Sequence, residues 1–241
     1  MTDVDYGRLA ADYSKYRQVH PEVFRALAGH SNVDAGSKVL EVGCGTGNYI
    51  IALQERTGCA AWGGDPAPKM LEVARSRSGS VAFSAGTAEE PGVAEGGFDL
   101  IFTVDVIHHV RDRMAYFAKA LGLLRPGGRI CTVTDDREII LSRKPLTNYF
   151  PETVPYELER YPLDGEIQGL MRKAGFRGIA EERVLFEADL TDISLWRNKA
   201  CSSLHLIPDE AFRKGLARMD EDLRKGPIRW VSPYLLIWGK K

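Results

Sequence analysis

The chain has almost no net charge: 32 lysines and arginines stand against 33 aspartates and glutamates, a formal balance of −1 over 241 residues. That balance supplies no field to draw it to nucleic acid or to an anionic lipid surface, and it favours a small-molecule partner over either. Cysteine is scarce as well. Cys44, Cys59, Cys131 and Cys201 are scattered without C-x-x-C spacing, which argues against a disulfide framework and a zinc site, so no metal is expected. No stretch approaches the roughly 20 apolar residues of a membrane span. The start, MTDVDYGRLAADYSKYR, is too polar for a signal peptide. The expectation is a cytoplasmic protein, monomer or homodimer, that engages neither membrane nor nucleic acid.

The length suits one α/β unit with extensions, and strand-like runs alternate with helical patterns through the first half. Residues 5–17 and 21–30 read as two helices, the second with Pro21 in its first turn, where a missing N–H does no harm. Strands are expected over 38–42, 59–63, 81–85, 98–104 and 129–134, with helices over 48–56, 69–77 and 114–124 between them. Such alternation is that of a doubly wound parallel sheet. Residues 135–164 break the rhythm: Pro145, Pro151, Pro155 and Pro162 stand among Tyr149, Phe150, Tyr156 and Tyr161. An irregular segment this long and this aromatic reads as an inserted cap, either a substrate lid or a loop covering the sheet edge. Beyond it come a helix over 166–174, closing strands over 178–186 and 234–238, and helices over 193–204 and 209–225. One domain over 1–241 results, divided into an N-terminal helical cap (1–35), a nucleotide-binding core (36–134), the lid (135–165) and closing elements (166–241).

The chemistry concentrates at KVLEVGCGTGNY, residues 38–49. An apolar strand ends in Gly43, Gly45 and Gly47, which reach backbone angles other residues avoid and leave no side chain between main chain and ligand. The dinucleotide fingerprint G-x-G-x-x-G does not fit, because the sixth position is Asn48 counted from Gly43 and Ile50 counted from Gly45. After the second strand Asp65 stands near the spacing at which an acid reaches a ribose, and there it would also cap a helix ahead of Pro66. Ligands of open α/β sheets lie beyond the carboxyl ends of strands, so Thr103 to Asp105, with Val104 at the strand's end, should face the reacting group. His108 and His109 follow as candidate proton carriers or as packing residues.

Glu41 followed by G-x-G-x-G resembles the first motif of the class I S-adenosylmethionine (SAM) dependent methyltransferases. GGDPAPKMLEVAR, AGTAEEPGVAEGGFDLIFTVDVIHHVRD and LRPGGRICTVT are similar, in order, to later motifs of the branch that includes the ubiquinone and menaquinone biosynthesis enzymes. The resemblance implies a Rossmann-like, seven-stranded, mostly parallel sheet of order 3-2-1-4-5-7-6 with the last strand antiparallel. It implies SAM as methyl donor and S-adenosylhomocysteine as product. It puts Glu41 near the methionine amino group, Gly43, Gly45 and Gly47 under the cofactor, Asp65 on the ribose hydroxyls, and Pro66 and Met70 beside the adenine. Where the family often has an acid against the adenine amino group this chain has Thr87, so Ala88 main chain, Thr87 or Glu89 is left to make that contact. Arg17 and Tyr13 resemble a pair that closes over the cofactor and acceptor, with the guanidinium on the methionine carboxylate.

The expected reaction is in-line transfer of a methyl group to a small molecule, with Asp105, His108 and His109 as candidate catalytic groups and Tyr13, Tyr149, Arg160 and Tyr161 as acceptor contacts. A non-catalytic SAM-binding sensor and a methyltransferase acting on a macromolecule are the alternatives, since fold does not settle function. Arg143-Lys144 and Arg172-Lys173 are too sparse for a nucleic-acid track and read as solvated faces. Trp196, Trp230 and Tyr234 read as core more than pocket.

Overall fold

The computed structural model describes residues 15–30, 32–94 and 96–241. Most of the first expected helix, and Tyr13 with it, lies outside them. Seven strands, β1 (Lys38–Val42), β2 (Ala60–Asp65), β3 (Val81–Ala85), β4 (Phe98–Val104), β5 (Leu124–Thr134), β6 (Arg177–Leu190) and β7 (Ile228–Lys240), form one sheet. Its order is β3-β2-β1-β4-β5-β7-β6. Only β7 runs against the rest, antiparallel to both β5 and β6. Both the expected order and the antiparallel last strand are present.

The central strand β1 explains why the sheet is covered on both sides. Val39 and Leu40 are fully buried and Val42 nearly so, which suits a strand with an apolar layer on each face. Val39 packs on one face with Val23 and Leu27 of α1 (Pro21–His30) and with Ile50 and Leu53 of α2 (Asn48–Thr57). Leu40 and Val42 pack on the other face. That layer also holds Phe117 of α4 (Arg113–Leu123) and Met171 of α8 (Glu166–Ala174). Between α2 and α4 lies α3 (Pro68–Arg77), which opens on Pro68.

Two expectations need correction. Residues 135–164 are not irregular: they form α5 (Arg137–Ser142), α6 (Leu146–Tyr149) and α7 (Thr153–Arg160). No proline falls inside a helix beyond its first turn: Pro145 is the N-cap of α6, Pro155 lies in the first turn of α7 and Pro162 follows that helix, positions where no helical N–H bond is lost. The closing strands are also much longer than 178–186 and 234–238. β6 alternates exposed and half-buried residues, so it carries no continuous apolar run, and β7 is interrupted by Pro233. Pairing with β5 reaches only Leu235, so Pro233 sits where β7 has left that neighbour and one edge needs no donor.

A third apolar core lies apart from the sheet. Tyr149 and Phe150 of the cap pack there with Trp196 of α9 (Ser194–Arg197) and Met219 of α10 (Asp209–Lys225). Gly215 lets α10 approach the cap, since a Cβ there would stand 2.4 Å from the Tyr149 carbonyl oxygen. The cap and the C-terminal helices therefore act as one layer over the carboxyl end of the sheet.

Candidate active site

β1 ends in a turn made of backbone. Gly43, Gly45 and Gly47 hold φ of +73°, +53° and +82°, and a Cβ on Gly43 would lie 2.4 Å from Val106 Cγ2. The Gly43 and Cys44 N–H groups donate to the Gly64 carbonyl at 2.7 and 3.0 Å, tying the turn to the end of β2. Gly47 offers no side chain to cap α2, and Glu41 does that work, its Oε2 accepting from Ile50 N at 3.0 Å. Asp65 accepts from Gly45 N through Oδ2 and from Ala67 N through Oδ1, each at 2.8 Å. Each of its oxygens keeps a second acceptor site.

Burial pushes the Glu41 carboxyl well above the usual range, outweighing the Ile50 bond, and the charge of Asp65 adds to the shift. Burial likewise raises Asp65, against the pull of the Ala67 and Gly45 N–H groups. Among the described residues neither acid has a cationic partner within ion-pair distance. A ligand bringing positive charge and hydroxyl donors would supply what both lack.

At the end of β4, Asp105 takes φ +57° and its carboxylate accepts from Arg17 Nη2 and from the Tyr234 hydroxyl, both at 2.7 Å. A cavity of about 660 Å³ runs from Glu41, Gly43 and Gly45 past Arg17, Val104 and Asp105 to an aromatic wall of Phe186, Trp196 and Trp230. His20 braces its rim. The His20 ring accepts from Val23 N at 3.2 Å, lies 3.0 Å from the Ser232 carbonyl, and meets Phe186 and Tyr234 edge-on. Burial lowers its pKa.

A second, polar cavity of about 70 Å³ shares Arg17, Asp105 and Tyr234 with the first and extends beneath the cap. His108, in the 3₁₀ turn Ile107–His109, stacks on Tyr161 with centroids 4.1 Å apart. Burial, with the charges of His109, Arg160, Arg143 and Arg113, holds His108 well below the usual histidine pKa. Arg143 bonds Asp135 and Glu157, while Arg160 bonds Glu157 at 2.8 Å and Ser202 at 2.9 Å. Arg143, expected on a solvated face, is thus largely buried at 19% side-chain exposure.

The expected residues divide. The large cavity brings together Arg17, Glu41, Gly43, Gly45, Val104 and Asp105, with Asp65 joined to it through Gly45. His108, Arg160 and Tyr161 line the smaller one, while His109 is exposed. Pro66 and Thr87 are exposed, Met70 is buried, and Ala88 is half-buried. Glu89 is engaged elsewhere, accepting from Asp112 N at 3.1 Å. Tyr149 joins neither cavity: its hydroxyl donates to Asp222 at 2.9 Å beside α10. Sequence reasoning missed His20, Arg143, Glu157 and Ser202, and weighed Trp196, Trp230 and Tyr234 towards the core. The one available signal was that arginine and glutamate recur at 143, 157 and 160 within an aromatic segment.

The chain is similar to known proteins in sequence and in fold. A family profile described as a methyltransferase domain matches residues 39–128. A ubiquinone biosynthesis O-methyltransferase of Cereibacter sphaeroides is 28% identical over 161 residues, covering 63% of this chain and 64% of that enzyme, so the match falls short of two-thirds of the relative's length. In fold, the chain resembles an Anabaena variabilis protein described as a methyltransferase from an antibiotic biosynthesis pathway, with TM-score 0.76 and 24% identity over 93% of this chain and 98% of that one. It also resembles phosphoethanolamine N-methyltransferase 2 of Haemonchus contortus, solved with S-adenosyl-L-methionine, at TM-score 0.60 and 17% identity over all of this chain and 60% of the other. With the glycine turn, the paired acids and the sheet order in place, residues 39–128 carry a methyltransferase domain, and the chain as a whole resembles the class I SAM-dependent methyltransferases in fold.

Proposed function

We propose that this chain transfers the methyl group of SAM to a small-molecule acceptor. The observation that carries the reading is the single large cavity joining the glycine turn to Asp105 and then to an aromatic wall. A cofactor and an acceptor can meet there end to end. Bound SAM supplies a methyl group already activated by a sulfonium, so the protein's task is chiefly alignment and exclusion of water.

Glu41 takes the ammonium of the methionine part, which relieves the carboxyl's burial. Gly43 and Gly45 leave room for the main chain to lie against the ligand, and Gly47 opens α2 beneath it. Asp65 uses its remaining lone pairs on the ribose hydroxyls. Pro66 and Met70 flank the adenine, and the Ala88 main chain reads its edge, with Thr87 beside it; Glu89 is held away by Asp112. Arg17 serves the methionine carboxylate and Asp105 together.

Val104 and Asp105 face the transferring methyl. A lone pair of the acceptor forms the bond to carbon as the carbon–sulfur bond breaks, and that electron pair stays on sulfur. Any proton on the acceptor leaves to Asp105 or to solvent. His108, held neutral by burial, orients the acceptor rather than carrying the proton, and His109, exposed, is a weaker candidate for either role. Residues 135–165 close the acceptor side through Arg160 and Tyr161, completing one catalytic unit over residues 1–241.

The test is incubation with methyl-labelled SAM and a library of hydroxyl, amine, thiol and carboxylate acceptors. Transfer to at least one acceptor, reduced at least about tenfold in kcat by Asp105→Asn with SAM affinity kept, is the expected result. Tight SAM binding with no transfer to any acceptor would instead favour a sensor.

A further inference from the structure

The polar cavity under the cap is lined by residues whose buried donors no described residue satisfies. Each oxygen of Glu157 already accepts, one from Arg143 and one from Arg160, and an Asp135 oxygen accepts the other Arg143 bond. What remains is Arg143 Nε, Arg160 Nε and His108 Nδ1, three buried nitrogens with no partner among the described residues. Tyr161 stands in the same lining, its ring stacked on His108. A guanidinium nitrogen is always a donor and always shares a positive charge, so the two Nε–H groups can be satisfied only by an acceptor. Leaving such groups unmade in a protein interior is unfavourable, because their desolvation goes uncompensated.

Among the described residues, three carboxylates, on Asp105, Asp135 and Glu157, pair with three guanidiniums, on Arg17, Arg143 and Arg160. The balance is incomplete near neutral pH, because burial raises Asp135 to about 7 despite Arg143, with help from the charges of Asp105, Glu157 and Asp136. At about 70 Å³ the cavity admits a group of only a few heavy atoms. An apolar body must lie in the larger cavity, and the two spaces meet at Asp105, where the methyl is delivered.

We propose that the methyl acceptor carries an oxyanion, a carboxylate or a phosphate, that seats in the cavity beneath the cap against Arg143, Arg160, His108 and Tyr161. The anion is a recognition group remote from the reacting atom, and the aromatic wall holds the rest of the molecule. This assignment rests on the methyl-transfer reading above.

The experiment measures binding of phenylacetate, phenyl phosphate and neutral phenylacetamide to the full chain loaded with S-adenosylhomocysteine, by ligand-observed NMR and calorimetry. At least one anion should bind about tenfold or more tighter than the amide, a difference on the scale of one charge-assisted pair. Which anion wins tells a carboxylate site from a phosphate site. Arg160→Gln should abolish the preference while S-adenosylhomocysteine affinity stays within about twofold. If that variant does not fold, Arg160→Lys, which keeps charge but removes the Nε–H donor, should lower the preference at least about threefold. Equal binding of the three probes, no binding of any, or a preference unchanged in the arginine variant would overturn the proposal while leaving the methyl-transfer reading intact. Failure to load S-adenosylhomocysteine at all would remove both.

Discussion

The large cavity and the smaller one that adjoins it at Asp105 are built from different materials. Around the glycine turn stand the main chain and two acids, Glu41 and Asp65, whose own partners are backbone N–H groups. Beneath the cap, side chain meets side chain: Arg143, Asp135, Glu157, Arg160 and Ser202 come from four separate elements. A backbone cradle is fixed by the fold itself and suits a cofactor that never changes. A cage of side chains can be rebuilt residue by residue, which suits the choice of acceptor.

The sharpest way to break this contrast is Glu157→Ala. It leaves Arg143 and Arg160 without their shared counter-charge inside the protein, and loss of one partner of a buried pair costs about 3–5 kcal/mol. Urea denaturation should show that loss, while S-adenosylhomocysteine affinity of the folded fraction stays unchanged. The reciprocal test is Gly43→Ala. Its methyl would meet Val106 at 2.4 Å with φ at +73°, so about 2–4 kcal/mol of stability should be lost together with cofactor binding.

A third prediction uses pH. The Asp135 carboxyl is raised from its ordinary 3.8 to about 7, by burial against the pull of Arg143, so between those values the native state holds a proton that the unfolded chain has released. Stability should therefore fall as pH rises across that window, and Asp135→Asn should flatten the decline. Glu157 runs the other way. Burial works to raise it, yet Arg143 and Arg160 hold it below its ordinary value, so its contribution is present above the ordinary carboxylate range and lost as pH falls. An unchanged slope in Asp135→Asn would deny the shift. The smallest expected effect is Tyr149→Phe, which removes the bond to Asp222. About 1 kcal/mol of stability should go, with cofactor and acceptor binding both unaffected.

The same contrast explains what the amino-acid sequence discloses. The glycine turn is legible because strand, glycines and Glu41 are contiguous, and Asp65 is legible because one helix and one strand fix its distance from the turn. The sheet order follows from resemblance across consecutive motifs. The cap is opaque because α5, α6 and α7 are helices of six, four and eight residues, too short for a periodic pattern, and proline stands at the start of the last two. Arg143 looked solvated because its partners lie 8 and 14 positions away, on elements whose meeting no local pattern records. Tyr149 carried the right chemistry in the right segment, but α10 packs across it. Tyr234 was discounted because an aromatic residue in a closing strand is usually core, and only the antiparallel β7 brings its hydroxyl back to Asp105.

The central claim is that the backbone cradle and its two buried acids hold SAM. Calorimetric titration with SAM, S-adenosylhomocysteine and NAD, on the native chain and on Asp65→Ala, tests it most directly. Micromolar binding of the two adenosyl ligands, weakened at least about thirtyfold in Asp65→Ala, is the expected result. Repeating the titration in buffers of different ionisation enthalpy should show a proton released on binding, as the ligand's ammonium brings the raised Glu41 carboxyl to its charged form. Binding of NAD alone, or adenosyl binding indifferent to Asp65, would contradict the account.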